Sequence, residues 1–141
     1  MCLTADQRAT MRGLAERILP SDQSVGAEEA GLITYVDWVV RQPFFAHRVD
    51  QLIAGIEFLD SIANHLWQRP FRDCSSDEQD VAIRTLAELA SPPCHRFLRC
   101  VINMTLAGFL CDPKYGGNLN KVGWTYIGFE RRVVQICDRN G

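Results

Sequence analysis

The chain has 141 residues, of which 47% are hydrophobic, and 15 basic residues nearly balance 17 acidic ones for a formal net charge of -2. That much apolar material supports one folded domain with its own core and excludes an intrinsically disordered chain. The near-neutral balance, with basic residues scattered apart from Arg131 and Arg132, excludes nucleic acid and anionic membrane as the expected partners.

The first element is announced by Thr4-Ala5-Asp6-Gln7, a capping box in which the Thr4 hydroxyl accepts from the amide three residues on and Gln7 reaches back. Met11, Leu14, Ala15 and Ile18 then share one helical face. Pro20, after Leu19, stops this helix, and Ser21 to Gly26 is a polar turn. A second helix is predicted over 27–41, with Leu32, Val36, Val39 and Val40 as its apolar stripe. Pro43 restarts the chain in the first turn of a third helix. That helix carries Leu52, Ile56, Leu59, Ala63 and Leu66 at helical spacing, holds Gly55 where another helix can cross closely, and is closed by Pro70.

Ser75 and Glu78 form a second capping box. Ile83, Leu86, Ala87 and Ala90 are the expected inner face of the fourth helix, and Pro92-Pro93 opens the fifth. In that fifth helix Phe97, Leu98, Val101, Ile102, Leu106, Phe109 and Leu110 leave little polar face, which predicts a central, buried helix. After Cys111 a glycine- and aromatic-rich segment begins. No alternating strand pattern, internal repeat or low-complexity tract interrupts this reading. The expected fold is therefore all-α: one domain over 1–141, a compact bundle of about five helices with a Gly/aromatic-rich C-terminal loop segment.

Chemistry-bearing patterns are sparse. Six cysteines (Cys2, Cys74, Cys94, Cys100, Cys111 and Cys137) include no Cys-x-x-Cys spacing, which argues against a zinc ribbon or a thioredoxin-like site. They read either as buried thiols or as containing at least one disulfide, the latter implying an oxidising compartment. Cys94-His95 lacks the Cys-x-x-Cys-His of covalent haem, because Ser91 stands at the first position. A zinc set of Cys94, His95 and Cys100 has no second ligand pair at helical or knuckle spacing. His47 and His65 lie among polar neighbours and read as surface residues. Asp77, Glu78 and Asp80 sit at a helix start, where the helix dipole favours negative charge. No Gly-x-Ser-x-Gly elbow or phosphate-cradling loop occurs. The longest apolar stretch, Phe97 to Cys111, contains Arg99 and Asn103 and falls short of the roughly 20 residues a membrane span needs. No signal peptide is visible before the first helix, so the expected settings are the cytoplasm, an export signal already trimmed, or a signal carried by a partner.

What remains is the segment from Asp112 to Phe129. Tyr115, Trp124, Tyr126 and Phe129 supply large aromatic contacts, while Gly116, Gly117, Gly123 and Gly128 permit close backbone approach. The segment reads as a loop folded over its own core, as a partner-facing loop, or as both, with Trp124 anchored inward and Tyr115 facing outward.

The series Gly108-Phe109, Asp112-Pro113-Lys114-Tyr115-Gly116-Gly117-Asn118, Val122-Gly123-Trp124 and Ile127-Gly128-Phe129, together with Leu14-Ala15-Glu16-Arg17-Ile18-Leu19-Pro20 and Ala30-Gly31 near the start, resembles the gluconate 2-dehydrogenase subunit 3 family. The resemblance covers nearly the whole chain. It implies a small, non-catalytic subunit without its own cofactor. The implied partner is a large flavoprotein of the glucose–methanol–choline type that holds FAD, with a multihaem cytochrome c often completing the complex. It also implies a role in stabilising, maturing or exporting that flavoprotein, and a periplasmic location with it. The family's twin-arginine signal does not precede Leu3 here, which leaves a trimmed signal or a cytoplasmic location as the expected explanations. The family offers no catalytic or metal residues to carry over. What transfers is a docking segment in which Asp112, Pro113, Tyr115, Gly116, Gly117, Asn118, Gly123, Trp124, Ile127, Gly128 and Phe129 are the expected partner-binding residues. The alternative readings are a small Cys/His metal-binding protein and a free-standing helical chaperone.

Overall fold

The computed structural model describes residues 3–19, 31–110, 114 and 117. Among them the chain forms five α-helices and no strand: α1 (Ala5–Ile18), α2 (Leu32–Val39), α3 (Ala46–Trp67), α4 (Ser76–Glu88) and α5 (Pro92–Leu110). The fold is an all-α bundle, as the periodicity predicts. Short 3-10 turns at Pro43–Phe45 and Phe71–Asp73 lead into α3 and toward α4.

The helix ends follow local chemistry. Both capping boxes form: the Gln7 amide donates to Thr4 Oγ1 at 3.1 Å and the Thr4 amide to Gln7 Oε1 at 2.9 Å. The Glu78 amide donates to Ser75 Oγ at 3.2 Å and the Ser75 amide to Glu78 Oε1 at 3.0 Å. A cap of this kind contributes about 1 kcal/mol. At the end of α3, Gln68 takes a left-handed conformation (φ 56°) and its amide returns to the Asn64 carbonyl. Pro70 then stands in extended backbone.

α2 is shorter than predicted. Gly31 caps it at φ 73°, a conformation glycine adopts without strain. It stops at Val39, where the Arg41 and Gln42 amides turn back to the Trp38 and Val39 carbonyls. The predicted residues 27–30 lie outside the described residues.

α3 packs against α1, α4 and α5, and α2 lies across α1 and α5. The core between them comprises Met11 and Leu14 of α1, Val36 of α2, Leu52, Ile56 and Leu59 of α3, Leu86 of α4 and Phe97 and Val101 of α5, all nearly without solvent contact. Phe71, from the second 3-10 turn, is fully buried among them.

Two expectations about buried faces are corrected. On α4 the inward residues are Gln79, Ala82 and Leu86, while Ala87 and Ala90 are exposed. The helix turns its Gln79 face inward because the Gln79 side chain donates to the Phe71 carbonyl at 2.9 Å, which satisfies a buried backbone acceptor. α5 is not buried all round: Phe97, Val101, Met104, Thr105, Gly108 and Phe109 face the bundle, but Ile102, Leu106 and Leu110 are exposed. Among the described residues α5 packs through one side, and α3 holds the central place instead.

Candidate partner interface

Polar ties fix the elements that frame the surface. Asp60 on α3 accepts from Thr10 Oγ1 of α1 at 3.2 Å and from the Phe71 amide at 3.0 Å. Burial pushes the Asp60 carboxyl up from its ordinary value of 3.8, against the opposing pull of the Phe71 amide and Thr10. Arg17 of α1 grips Asp80 of α4 through Nε at 2.9 Å and Nη2 at 3.2 Å. Arg8 of α1 pairs with Asp37 of α2 at 2.8 Å. These contacts close the α1 side of the bundle.

The base of the expected docking segment is held on that same side. Phe109 is buried beside Ala15 and Leu32. Gly108 lies so close to α2 that a Cβ there would stand 2.6 Å from Leu32 Cδ1 and 2.8 Å from Tyr35 Cδ1. Of the expected partner-binding residues, the structure describes Gly117, which is buried. Asp112, Pro113, Tyr115, Gly116, Asn118, Gly123, Trp124, Ile127, Gly128 and Phe129 lie outside the described residues. Lys114, within the segment, is exposed.

Among the described residues, the opposite side of α3 is open. A groove of about 350 Å³ runs between α3 and α5, lined by Gln51, Ala54, Phe58, Pro93, Cys94 and Phe97. It continues past Phe58 into a cavity of about 270 Å³ lined by Ile62, His65, Leu66 and Thr85. In the other direction it passes Gln51 into a cavity of about 230 Å³ lined by Arg48, Arg96, Arg99, Cys100 and Asn103. Sequence reasoning missed this arginine group because the residues come from two helices far apart in the chain. The available signal was that α5, from Pro92 to Leu110, contains arginines and a histidine but no carboxylate.

The groups singled out for chemistry are not brought together. His47, His65 and His95 are all exposed. Cys74, Cys94 and Cys100 are free, half-buried thiols. Burial raises the Cys74 and Cys100 thiols above their ordinary range, which lowers their thiolate fraction and reactivity. Among the described residues no three His, Cys, Asp or Glu side chains are placed to hold a metal ion, and no helix is long and apolar enough to cross a membrane. Glu78 and Asp80 have structural partners: Glu78 caps α4 and pairs with Arg69, and Asp80 holds Arg17. The Ser75 amide, followed by Arg69, lowers the Glu78 carboxyl below its usual range.

The sequence matches the family model described as gluconate 2-dehydrogenase subunit 3 over residues 5–130. The chain belongs to the gluconate 2-dehydrogenase subunit 3 family. No curated protein and no solved structure matches it. Membership of the gluconate 2-dehydrogenase subunit 3 family implies a dehydrogenase complex in which this chain accompanies a larger subunit. The match takes in all five described helices and continues through the Asp112 to Phe129 segment.

Proposed function

We propose that this chain is the non-catalytic small subunit of an FAD-dependent sugar or glycoside dehydrogenase, and that it stabilises, matures or helps to export a large flavoprotein of the glucose–methanol–choline type. The family match over residues 5–130 carries this reading. In such an assembly the partner's FAD accepts the hydride from a carbinol carbon of the sugar, and this chain contributes a rigid, shaped surface. The helices are held by capping boxes and cross-helix ion pairs, and an open groove lies along the outer side of α3. Rigid elements of that kind suit a subunit whose task is to fit another protein. A multihaem cytochrome c as electron acceptor and a periplasmic location belong to the same proposal.

Co-expression tests it. The large subunit is produced with and without this chain, and soluble yield, flavin content and dye-linked sugar oxidation are measured. The expected result is a marked loss of flavin-loaded, active large subunit when this chain is omitted. Equal yield, flavin content and activity in both cases overturn the proposal.

A further inference from the structure

Three adjoining cavities lie along a single stripe of α3. Arg48, Gln51, Ala54, Phe58, Ile62 and Leu66 all line it, and they recur at the three- and four-residue spacings that keep side chains on one helical face. From Arg48 to Leu66 the stripe is about 27 Å long at about 1.5 Å per residue, the length of a helix of several turns. Its two ends differ in chemistry. Toward Leu66 it is apolar, with Phe58 and Leu66 43% and 42% exposed. Toward Arg48 it is cationic, with Arg48 of α3 meeting Arg96 and Arg99 of α5 around one cavity.

Those three guanidinium groups are exposed and have no ion-pair partner among the described residues. The contrast with the α1 side is direct, since Arg8 and Arg17 there are each paired with a carboxylate across helices. Like charges drawn together without counter-charge repel, and a fold gains nothing from leaving them so. An apolar groove ending in clustered arginines is complementary to an apolar segment ending in carboxylates. The described residues contain no strand and so no sheet edge to which a partner could add main-chain hydrogen bonds. A stripe of this length, with apolar anchors set by the spacing of one helix, suits side-chain docking of an amphipathic helix into the groove.

The geometry points to this groove as the seat of an amphipathic helix from the large dehydrogenase subunit, apolar along the face that meets Phe58, Ile62 and Leu66 and carrying Asp or Glu at the end that meets Arg48, Arg96 and Arg99. This rests on the subunit role proposed above and adds the surface and the partner's chemistry. Nucleic acid fits less well, because it would satisfy the arginines and leave the apolar two-thirds of the stripe in water.

The test uses the assembled complex. An affinity-tagged chain is expressed in its native cells together with the large subunit, and co-purified flavin absorbance and dye-linked sugar oxidation are read. Arg48→Glu, Arg96→Glu and Arg99→Glu are combined in one variant, Phe58→Asp is a second, and Arg12→Glu with Arg84→Glu on other faces is the control. In a third arm Phe58 is replaced by a photo-crosslinking benzoylphenylalanine. Circular dichroism checks that each variant retains its helices.

The triple variant is expected to bind on the order of 100-fold more weakly at low salt, since reversing several interfacial charges both loses attraction and adds repulsion. The difference should shrink as salt screens it. The cross-link should map to a helical peptide of the flavoprotein with Asp or Glu near one end. Retention of the flavoprotein by the triple variant and by Phe58→Asp, at the level of the wild type, overturns the groove while leaving the subunit role standing. So does equal weakening by the control, or a cross-link to a second copy of this chain or to nucleic acid. If the wild-type chain itself retains no flavoprotein, the subunit role falls and the groove assignment falls with it.

Discussion

Two buried phenylalanines lie against two helical glycines in this bundle, on opposite sides of α3, and the two contacts are built differently. Phe71 sits on the α1 side, where its ring approaches Gly13. A Cβ on Gly13 would stand 3.4 Å from Phe71 Cε1 and 3.2 Å from Gln79 Nε2. The backbone of Phe71 is tied at both ends, its amide to Asp60 and its carbonyl to Gln79. Phe97 sits on the α5 side and lies directly over Gly55, where a Cβ would stand 2.0 Å from Phe97 Cδ1. Its surroundings in the groove are Ala54, Phe58, Pro93 and Cys94. One side of α3 is thus closed by a ring together with polar ties. The other is closed by a ring pressed onto bare backbone and then left open to solvent. The difference separates what holds the fold from what the fold presents: paired polar groups seal the first side, and arginines without an ion-pair partner among the described residues border the second.

The largest effect should come from removing the ring that closes the sealed side. Phe71→Ala leaves a cavity among α1, α3 and α4, where the native side chain has no exposed surface, and is expected to cost about 3–5 kcal/mol. Urea unfolding followed by circular dichroism measures it. A loss under about 1 kcal/mol would mean that α1 and α4 close over the gap, and that the sealed side is held by its ion pairs rather than by packing.

The two glycines sharpen the contrast further. Gly55→Ala drives a methyl group into the Phe97 ring, and displacing a buried aromatic against its neighbours is expected to cost about 1–3 kcal/mol. Gly13→Ala meets atoms at ordinary or slightly tight distance, one of them the end of a flexible Gln79 side chain. There the gain of alanine over glycine in a helix, about 0.5–1 kcal/mol, offsets the crowding, and the net change should lie within about 1 kcal/mol of zero. Equal destabilisation by the two substitutions would erase the distinction between the sides. If Gly55→Ala also weakens association with the large subunit, the Phe97 ring helps to shape the groove floor.

The parts of this fold that were legible in the sequence are those decided within a few residues. The Thr4 and Ser75 capping boxes need only a hydroxyl and a carboxyl or amide three residues on, and both form. Leu52, Ile56, Leu59 and Ala63 of α3 are buried as their spacing predicts, while Leu66 at the same spacing is exposed, and Gly55 in the middle of an apolar helix correctly announced a close crossing. What was not legible depends on which neighbours are present. Leu106 and Phe109 have similar chemistry, yet one faces solvent and the other Leu32, and nothing in α5 itself says which. The inward turn of Gln79 depends on a carbonyl supplied by another element. Arg48, Arg96 and Arg99 look scattered along the chain and converge only because α3 and α5 pack side by side. The Asp112 to Phe129 segment, expected from the family resemblance, lies outside the described residues apart from Lys114 and Gly117. The packing of Gly108 and Phe109 against α2 and α1, just before it, emerges only from the fold.

The smallest effect concerns how the sealed side responds to pH. Asp60 is a charged acceptor that ties Phe71 to α3, and burial raises its carboxyl above 3.8. For an acid whose folded pKa is raised, the unfolded chain gives up the proton first as pH increases. The unfolded state then binds fewer protons than the native state, so stability falls as pH rises through the interval between the two pKa values. Below that interval both states are protonated and the penalty is absent; above it the penalty is complete and constant. Asp60→Asn keeps an oxygen that accepts from the Phe71 amide but removes the titration. Stability of the variant relative to the wild type should therefore improve as pH rises from about 4 toward neutral, in the direction set by desolvation of the carboxyl. Urea unfolding of both proteins across that range reads the slope. An unchanging difference would show that the hydrogen bonds from Phe71 and Thr10 cancel the cost of burying the charge. A slope of the opposite sign would show that they outweigh it, making the ionised carboxylate a net support of the sealed side.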